Sequence, residues 1–303
     1  MSYGFDSLAA SLAGDVAGIP AAEGELAYVL LDVFTDAPLE GNQLAVFADG
    51  RGLDPERMQR LAREMNLSET VFVLPAEAGG DARIRIFTPL SELPFAGHPT
   101  LGTAFAVGTA LGTAEVRLET GVGIVPVELE REGERVVFGR MQQAIPEWAR
   151  FEREAELLAA LGVERSGLPV EAYDNGPLHV YVELESEEAV AALRPDMAAL
   201  AEIDPPIGAN CFAGSGTRWK TRMFAPADGV PEDPATGSAA GPLAIHLCRH
   251  GRVPFGEKIV IRQGEEVGRP SVLHARAEGS AERVERVEVA GAALIVAGGR
   301  FAL

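Results

Sequence analysis

Two glycine-marked turns, each followed by an uncharged apolar segment, constrain the fold of this 303-residue sequence more than any other feature. The first turn lies in residues 95–102 (FAGHPTLG) and runs into the segment at 101–111 (LGTAFAVGTAL). The second turn lies in residues 233–241 (DPATGSAAG) and runs into the segment at 239–247 (AAGPLAIHL). A helix that is apolar on all sides has to be buried on all sides. The sequence therefore predicts two buried helices, one in each half of the chain.

The starts of these two helices are the predicted binding regions. The first turn of a helix has backbone N–H groups without a partner inside the helix, at the positive end of its dipole. Such a start attracts anions, including carboxylates. His98 lies in the first motif and Asp233 in the second. We expect the two halves to face each other and to bind one carboxylate-bearing molecule between them.

The order of predicted elements repeats along the chain and suggests two domains. In both halves, strands precede the turn and the buried helix, and further strands follow. We predict an N-terminal extension at residues 1–25, with a short helix at Ser7–Leu12. The first domain is predicted at residues 26–145 and the second at 146–284. Whether residues 285–303 return to the first domain is left open by the sequence.

Composition and charge exclude several classes of partner. The formal net charge of −19 would repel the phosphates of nucleic acids. No apolar run approaches the ~18 residues that a membrane span needs. Residues 1–25 lack the basic start of a signal peptide, and the two cysteines, Cys211 and Cys248, make no disulfide framework. We therefore expect a cytoplasmic protein that binds a small molecule and neither nucleic acid nor membrane.

A series of short motifs resembles one known family. In chain order the motifs are DVFT at 32–35, GNQLAV at 41–46, NLSETVF at 66–72, FTP at 87–89, LPFAGHPT at 93–100, RMFAP at 222–226 and EDPATGSA at 232–239. Together they resemble the PhzF-like isomerases of phenazine biosynthesis. The resemblance extends over roughly residues 27–245, and the motifs follow the family's order.

The resemblance implies the α+β fold of diaminopimelate epimerases and proline racemases. In this fold, two pseudo-symmetric domains each form a curled, barrel-like, mostly antiparallel sheet around a central buried helix. Because family members are commonly dimers, the resemblance also implies a homodimer. The fold agrees with the two buried helices predicted from the residues alone.

We expect no cofactor and no metal. The chain contains no G-x-G-x-x-G, P-loop, H-E-x-x-H or G-x-S-x-G pattern, so nucleotide, zinc-protease and α/β-hydrolase functions lose their main support. His246 and His250 lie four residues apart and would share one helix face. No third or fourth ligand is evident beside them in the sequence, and a zinc site needs three or four.

Glu69 is the candidate proton-transfer residue, because it matches the position of the family's catalytic glutamate. Its apolar neighbours Leu67, Val71 and Phe72 would raise the pKa of a carboxyl group toward the working pH. From the residues alone, a solvated glutamate at a strand edge is the alternative. His98 would orient the substrate or relay a proton, and a turn histidine that caps backbone groups is its alternative.

The second motif supplies further candidates. Asp233 would bind an amine or hydroxyl of the substrate or hold His98 in its tautomer, unless it only caps a turn. Ser238 would donate to the substrate carboxylate, with an ordinary N-cap serine as the alternative. The other candidates for substrate binding are Gly97, Pro99, Thr100, Asn42, Asn175, Gly176, Thr236 and Gly237.

The predicted function is a cofactor-independent isomerase. The related epimerases use two cysteines on opposite faces of the substrate, and neither motif here contains a cysteine. We expect Glu69, in a cleft between the domains, to move a proton between carbons of a small carboxylated, cyclic or unsaturated substrate. Two alternatives stay open: a non-thiol epimerase or racemase of the same fold, and a binding protein that kept the site but lost the chemistry.

Overall fold

The structure is a computed structural model that describes residues 5–14 and 24–302. The rest of the predicted extension, residues 1–4 and 15–23, lies outside the described residues. The chain divides into two units. The first contains residues 1–141 and 291–303, and the second contains residues 142–290. None of the described helices is long and apolar enough to cross a membrane.

Both units contain helices and strands. The helices are α1 Phe5–Gly14, α2 Pro55–Met65, α3 Gly97–Leu111, α4 Glu154–Leu161, α5 Glu187–Ala192, α6 Met197–Ala201 and α7 Gly237–Arg249. The first strands are β1 Glu25–Val33, β2 Asn42–Phe47, β3 Glu69–Leu74, β4 Ala82–Phe87, β5 Glu92–Leu93, β6 Glu115–Thr120, β7 Gly123–Glu132, β8 Arg135–Gln143 and β9 Glu147–Arg150. The later strands are β10 Glu171–Asp174, β11 Leu178–Glu183, β12 Gly208–Ser215, β13 Arg218–Ala225, β14 Val230–Asp233, β15 Lys258–Gln263, β16 Ser271–Gly279, β17 Val284–Gly291 and β18 Ala293–Ala302.

The first unit is a mostly antiparallel sheet that packs on the buried helix α3. Strand β1 runs antiparallel to both β2 and β18, β2 is parallel to β3, and β3 is antiparallel to β4. Strand β4 is parallel to β6, which continues as the antiparallel meander β6–β7–β8. Helix α3 contacts β1, β2, β3, β6, β7 and β18. Its residues from Gly97 to Gly108 are all buried, as expected for a helix without a charged face.

Close approach of the sheet explains a glycine inside α3. A Cβ atom on Gly102 would lie 2.6 Å from Leu44 Cδ2 and 2.7 Å from Val33 Cγ2. Those distances are shorter than van der Waals contact, so a larger residue would push the helix off β1 and β2. Helix α1 packs on the same core, since Leu8 and Leu12 are buried and α1 contacts both α3 and β1.

The second unit repeats the strand pattern around α7. Strand β11 is parallel to β12, β12 is antiparallel to β13, and β13 is antiparallel to the short strand β14. Strand β13 is also parallel to β15, which continues as the antiparallel meander β15–β16–β17. The same pairings occur in the first unit for β2 to β8. Helix α7 is buried from Gly237 to Cys248. The predicted α+β fold with two buried helices is confirmed.

Candidate active site

Three polar side chains of the first unit meet at the start of α3. Glu69 is the first residue of β3, Asn42 is the first residue of β2, and His98 is the second residue of α3. Because β2 and β3 are parallel, both strands start at the same edge of the sheet. His98 Nε2 lies 3.4 Å from Glu69 Oε2, and Asn42 Nδ2 lies 3.2 Å from His98 Nδ1. The sequence motifs therefore bring a carboxyl group and an imidazole into contact.

Burial keeps the imidazole of His98 neutral. Only 2% of His98 is exposed. Burial lowers its pKa to about 3, although a hydrogen bond with the backbone of Gln43 acts in the opposite direction. In the tautomer in which Nδ1 accepts from the Asn42 amide, the hydrogen of the neutral ring lies on Nε2, the nitrogen that faces Glu69. His98 can thus donate a hydrogen bond without carrying a charge.

The pKa of His98 predicts an acid-sensitive fold. Its folded pKa of about 3 lies below the usual value of 6.5, so its neutral form stabilises the protein above pH 6.5. This stability is lost as the pH falls from about 6.5 toward about 3, at about 1.4 kcal/mol per pH unit. Between about pH 6.5 and about pH 5.5, the free energy of unfolding measured in urea should therefore fall by about 1 kcal/mol less in His98→Gln than in the wild type, because unfolded His98 is already half protonated at pH 6.5. Equal drops in the two proteins would contradict this assignment.

The start of α3 presents backbone N–H groups without a side-chain cap. Its N-cap residue is Ala96, and no side chain among the described residues bonds to this cap. The hydroxyl of Thr100 donates to the carbonyl of Ala96 at 2.7 Å and so serves the helix itself. Gly97 and Pro99 are buried in the same turn. This turn can receive an anion through its backbone.

Asp233 lies in a network at the corresponding place of the second unit. It is buried at the end of β14, and its Oδ2 accepts a hydrogen bond from the hydroxyl of Thr236 at 2.7 Å. The amide of Gln263 donates to the carbonyl of Asp233 at 2.8 Å and to the Thr236 hydroxyl at 2.9 Å. Gln263 was not predicted, since it lies on β15 and belongs to no motif. The network fixes the position of the Asp233 carboxylate.

Ser238 and its neighbours surround the start of α7. The N-cap residue is Thr236, and no described side chain caps this helix, so Ser238 is not an N-cap serine. The imidazole of His179 lies 2.9 Å from the Ser238 hydroxyl, and Asn175 donates to the Ser238 carbonyl at 2.9 Å. Gln143 donates to the carbonyl of Gly237 at 2.8 Å. His179 and Gln143 were not predicted, because their partners lie 59 and 94 residues away in sequence.

The predicted site residues thus form one group in each unit. The first group contains Glu69, His98, Asn42, Gly97, Pro99 and Thr100. The second group contains Asp233, Thr236, Gly237, Ser238 and Asn175. Gly176 is exposed beside the second group, and its N–H donates to Asp174 Oδ1 at 3.0 Å. The contribution of both groups to one substrate site stays a prediction, as does the contact between Asp233 and His98.

The internal repeat is chemically unequal. In the first unit, the second strand of the parallel pair starts with Glu69; in the second unit, it starts with Gly208. The second residue of the buried helix is His98 in one unit and Ser238 in the other. The repeat therefore supplies one carboxyl group at this place, where a symmetric pair of bases would need two.

Neither thiol has the properties of a catalytic base. Cys211 lies in β12 and is fully buried, and burial raises its pKa to about 12. Cys248 lies near the end of α7, and burial raises its pKa to about 11. Both thiols are protonated at neutral pH, whereas the thiolate is the reactive form. The structure thus agrees with the sequence argument against a two-thiol enzyme.

Replacing both cysteines should leave turnover nearly unchanged. We expect Cys211→Ala/Cys248→Ala to keep its activity within about threefold of the wild type, because neither thiol ionises near neutral pH. The variant should lose about 1–3 kcal/mol of stability from the cavities. Steady-state kinetics and urea unfolding measure the two effects separately. A loss of turnover far beyond threefold in the folded variant would return a thiol to the mechanism.

A third potential metal ligand, Glu171, lies beside His246 and His250, and the sequence did not reveal it. One oxygen of Glu171, on β10, lies 3.3 Å from His246 Nδ1 and 3.1 Å from His250 Nε2. The guanidinium of Arg249 lies 2.6 Å from the same oxygen and already supplies a positive charge. Burial alone would raise the pKa of Glu171, but hydrogen bonds from its four neighbours outweigh burial and hold the pKa well below its usual range. The ion pair between Glu171 and Arg249 therefore accounts for this cluster without a metal ion.

The fold places the chain in a structural class. A hydroxyproline epimerase from Agrobacterium vitis aligns with a TM-score of 0.65 at 14% identity, over 93% of each chain. A PhzF-family protein from Bacillus anthracis aligns with a TM-score of 0.80 at 25% identity, over 93% of this chain and 100% of the other. The chain has the fold of the diaminopimelate epimerase-like proteins, in which a curled sheet and a buried helix occur twice.

Sequence comparison narrows this class to one family. The profile of the family described as "Phenazine biosynthesis-like protein" matches residues 31–299, so the chain belongs to this family. A relative from Pseudomonas aeruginosa is 58% identical over 273 residues, which cover 90% of this chain and 98% of the relative. A relative from Pseudomonas fluorescens is 56% identical over 264 residues, 87% of this chain and 95% of the relative. Both relatives are named trans-2,3-dihydro-3-hydroxyanthranilate isomerase. This chain is an isomerase, as the sequence analysis predicted.

Proposed function

We propose that the chain isomerises trans-2,3-dihydro-3-hydroxyanthranilate without a cofactor, and that Glu69 is the single acid–base group. The observation that carries the proposal is the contact of Glu69 with the buried, neutral His98. It occurs in a chain 58% identical to a relative named for this reaction. Only 13% of the Glu69 side chain is exposed, so a proton on it is largely sheltered from water.

The reaction needs one proton removed and one returned. The substrate is a dihydro ring with a carboxylate, an amino group and a hydroxyl group. Ionised Glu69 takes a proton from one ring carbon, and the electron pair of the broken C–H bond spreads through the ring double bonds toward the carboxylate. The protonated Glu69 then gives its proton to another ring carbon, and a new C–H bond forms. Glu69 returns to its ionised form, and the product has the composition of the substrate.

The neighbouring groups stabilise the charge that develops. His98 can donate from Nε2 without adding a charge that would permanently lower the basicity of Glu69. The uncapped helix starts have backbone N–H groups that suit the substrate carboxylate. Asp233, held by Thr236, is proposed to accept a hydrogen bond from the substrate amine or hydroxyl. The placement of one substrate against both helix starts is part of this proposal.

Incubation with the named substrate in D₂O tests the reaction class. We expect the wild type to form a product with at most one non-exchangeable deuterium, at the carbon that receives the proton. An epimerase would instead put deuterium on the original carbon, with inverted configuration there. Proton NMR distinguishes the two outcomes. Tight binding without turnover or exchange would reject the proposed enzyme and favour a binding protein.

We also propose a cytoplasmic location and a homodimer, for reasons that do not involve the active site. The family resemblance suggests the dimer, and two unpaired, buried cysteines suit a reducing compartment. Light scattering at micromolar concentration should report twice the mass of the 32.0 kDa chain. A mass of one chain at that concentration would contradict the dimer.

A further inference from the structure

A line of buried polar groups leads to the hydroxyl of Ser238. Asn210 lies on β12, His179 lies on the neighbouring strand β11, and Ser238 lies on α7. Asn210 Nδ2 lies 3.3 Å from His179 Nδ1, and His179 Nε2 lies 2.9 Å from Ser238 Oγ. All three residues are at most 5% exposed. Of the three, only Ser238 was predicted from the sequence.

The backbone fixes the orientation of the Asn210 amide. Its Nδ2 lies 2.8 Å from the carbonyl oxygen of Gly208, which can only accept a hydrogen bond. The opposite orientation would place two oxygen atoms against each other. The nitrogen of the amide therefore faces both Gly208 and His179, and it donates to each.

The orientation of Asn210 determines the tautomer of His179. Because His179 Nδ1 accepts from Asn210, the hydrogen of the neutral imidazole lies on Nε2. Burial lowers the pKa of His179 to about 3, so the ring stays neutral. Nε2–H then donates to Ser238 Oγ. Gly208 makes room for this ring, since a Cβ atom there would lie 2.8 Å from His179 Nδ1.

The hydroxyl hydrogen of Ser238 is left available. Its oxygen accepts from His179, and this hydroxyl has no other hydrogen-bond partner among the described residues. Ser238 is in the first turn of α7, beside backbone N–H groups that no described side chain caps. A hydroxyl that must donate and an uncapped helix start both suit a carboxylate.

We propose that Asn210 and His179 are positioning residues that make the Ser238 hydroxyl a donor toward the substrate carboxylate. The identity of that substrate rests on the proposed function, whereas the direction of the hydrogen bonds does not. The hydrogen bonds run in one direction, from Asn210 through His179 to Ser238 and on to the ligand. In the other tautomer, His179 Nε2 would accept the Ser238 hydrogen. A lone pair of Ser238 Oγ would then face the carboxylate, and this contact would be repulsive.

The tautomer can be measured in the free wild-type protein. Long-range ¹H–¹⁵N spectra of histidine-labelled protein distinguish the protonated from the unprotonated ring nitrogen. The signal of His179 is the one that disappears in His179→Gln. We expect a neutral ring with the hydrogen on Nε2. A hydrogen on Nδ1 would overturn the proposal whatever the substrate is.

Two matched variants separate positioning from structural support. The amide of His179→Gln reaches the place of Nε2 and can still donate to Ser238, whereas the shorter His179→Asn reaches only the place of Nδ1. We expect His179→Asn to raise KM about tenfold or more, the loss typical of a hydrogen bond to a charged group, with kcat within about threefold. His179→Gln should restore KM to within about threefold of the wild type. Ser238→Ala should match His179→Asn, and the double variant should lose no more than either.

The outcomes distinguish failure of this inference from failure of the proposed function. Equal KM values for the Asn and Gln variants, both folded by circular dichroism, would overturn the positioning role. Additive losses in the double variant would do the same. If the wild type does not turn over trans-2,3-dihydro-3-hydroxyanthranilate, the proposed function fails, and the NMR measurement alone decides the direction of the hydrogen bonds.

Discussion

Glu69→Gln is expected to lower kcat for trans-2,3-dihydro-3-hydroxyanthranilate by at least about 10³-fold, a typical contribution of one acid–base group. Glutamine has nearly the shape of glutamate but neither takes nor gives a proton near neutral pH. The contact with His98 at 3.4 Å can persist as an amide–imidazole contact, so the fold and KM should change little. Stopped-flow or steady-state absorbance measurements give the rate, and circular dichroism gives the fold.

A matched control is available on the same unit. Glu64 is exposed on α2, so Glu64→Gln makes the same chemical change away from the site and should retain full activity. Glu69→Asp keeps the carboxyl group but withdraws it by one methylene, and an intermediate rate is expected. A folded Glu69→Gln protein with wild-type kcat would remove Glu69 from the mechanism.

Gly41→Ala is expected to destabilise the protein by about 4 kcal/mol. Gly41 has φ of +67°, and an added Cβ would lie 2.4 Å from the backbone oxygen of Val33 and 2.6 Å from Thr35 Cγ2. The left-handed conformation costs about 1–2 kcal/mol for alanine, and overpacking costs about 1–3 kcal/mol more. Because Gly41 directly precedes Asn42, relief of this clash should also displace the partner of His98. Urea unfolding and activity assays measure the two effects.

Gly112→Ala separates conformational strain from the clash. Gly112 ends α3 with φ of +68°, nearly the value of Gly41, but no described atom lies within 4 Å of the added Cβ. Only the cost of the left-handed backbone, about 1–2 kcal/mol, is expected there. Equal losses in the two variants would show that Val33 does not block the space beside Gly41.

The sequence predicted the two buried helices because their signals are local, whereas the sheet around each helix was expected from the family resemblance. Apolar segments without a charged face predicted α3 and α7. The start of α2 is also determined locally, since Asp54 accepts a hydrogen bond from Arg57 N–H at 2.7 Å and Pro55 suits the first helical position. Short strands such as β9, β10 and β14 were missed, since each has only four residues and no clear alternation. Their strand conformation depends on pairing with neighbours distant in sequence.

The contrast between local signals and contacts distant in sequence also explains which site residues could be predicted. The motifs contain Glu69, His98 and Asp233, and the family resemblance drew attention to them. Gln263, His179 and Glu171 contact residues 27, 59 and 75 positions away, respectively, so no local pattern identifies them. The catalytic and binding roles of the motif residues stay predictions, which kinetic measurements on variants test. The fold contributes the positions of their partners and the chemical difference between Glu69 and Gly208.

The most direct test of a single carboxyl group as proton carrier is a single turnover in H₂O with substrate deuterated at the carbon that loses its hydrogen. If sheltered Glu69 carries the label, part of the deuterium should appear at a different carbon of the product made by the wild type, and Glu69→Gln should make no such product. A product from Glu69→Gln with the wild-type deuterium content, formed at the wild-type rate, would contradict the account.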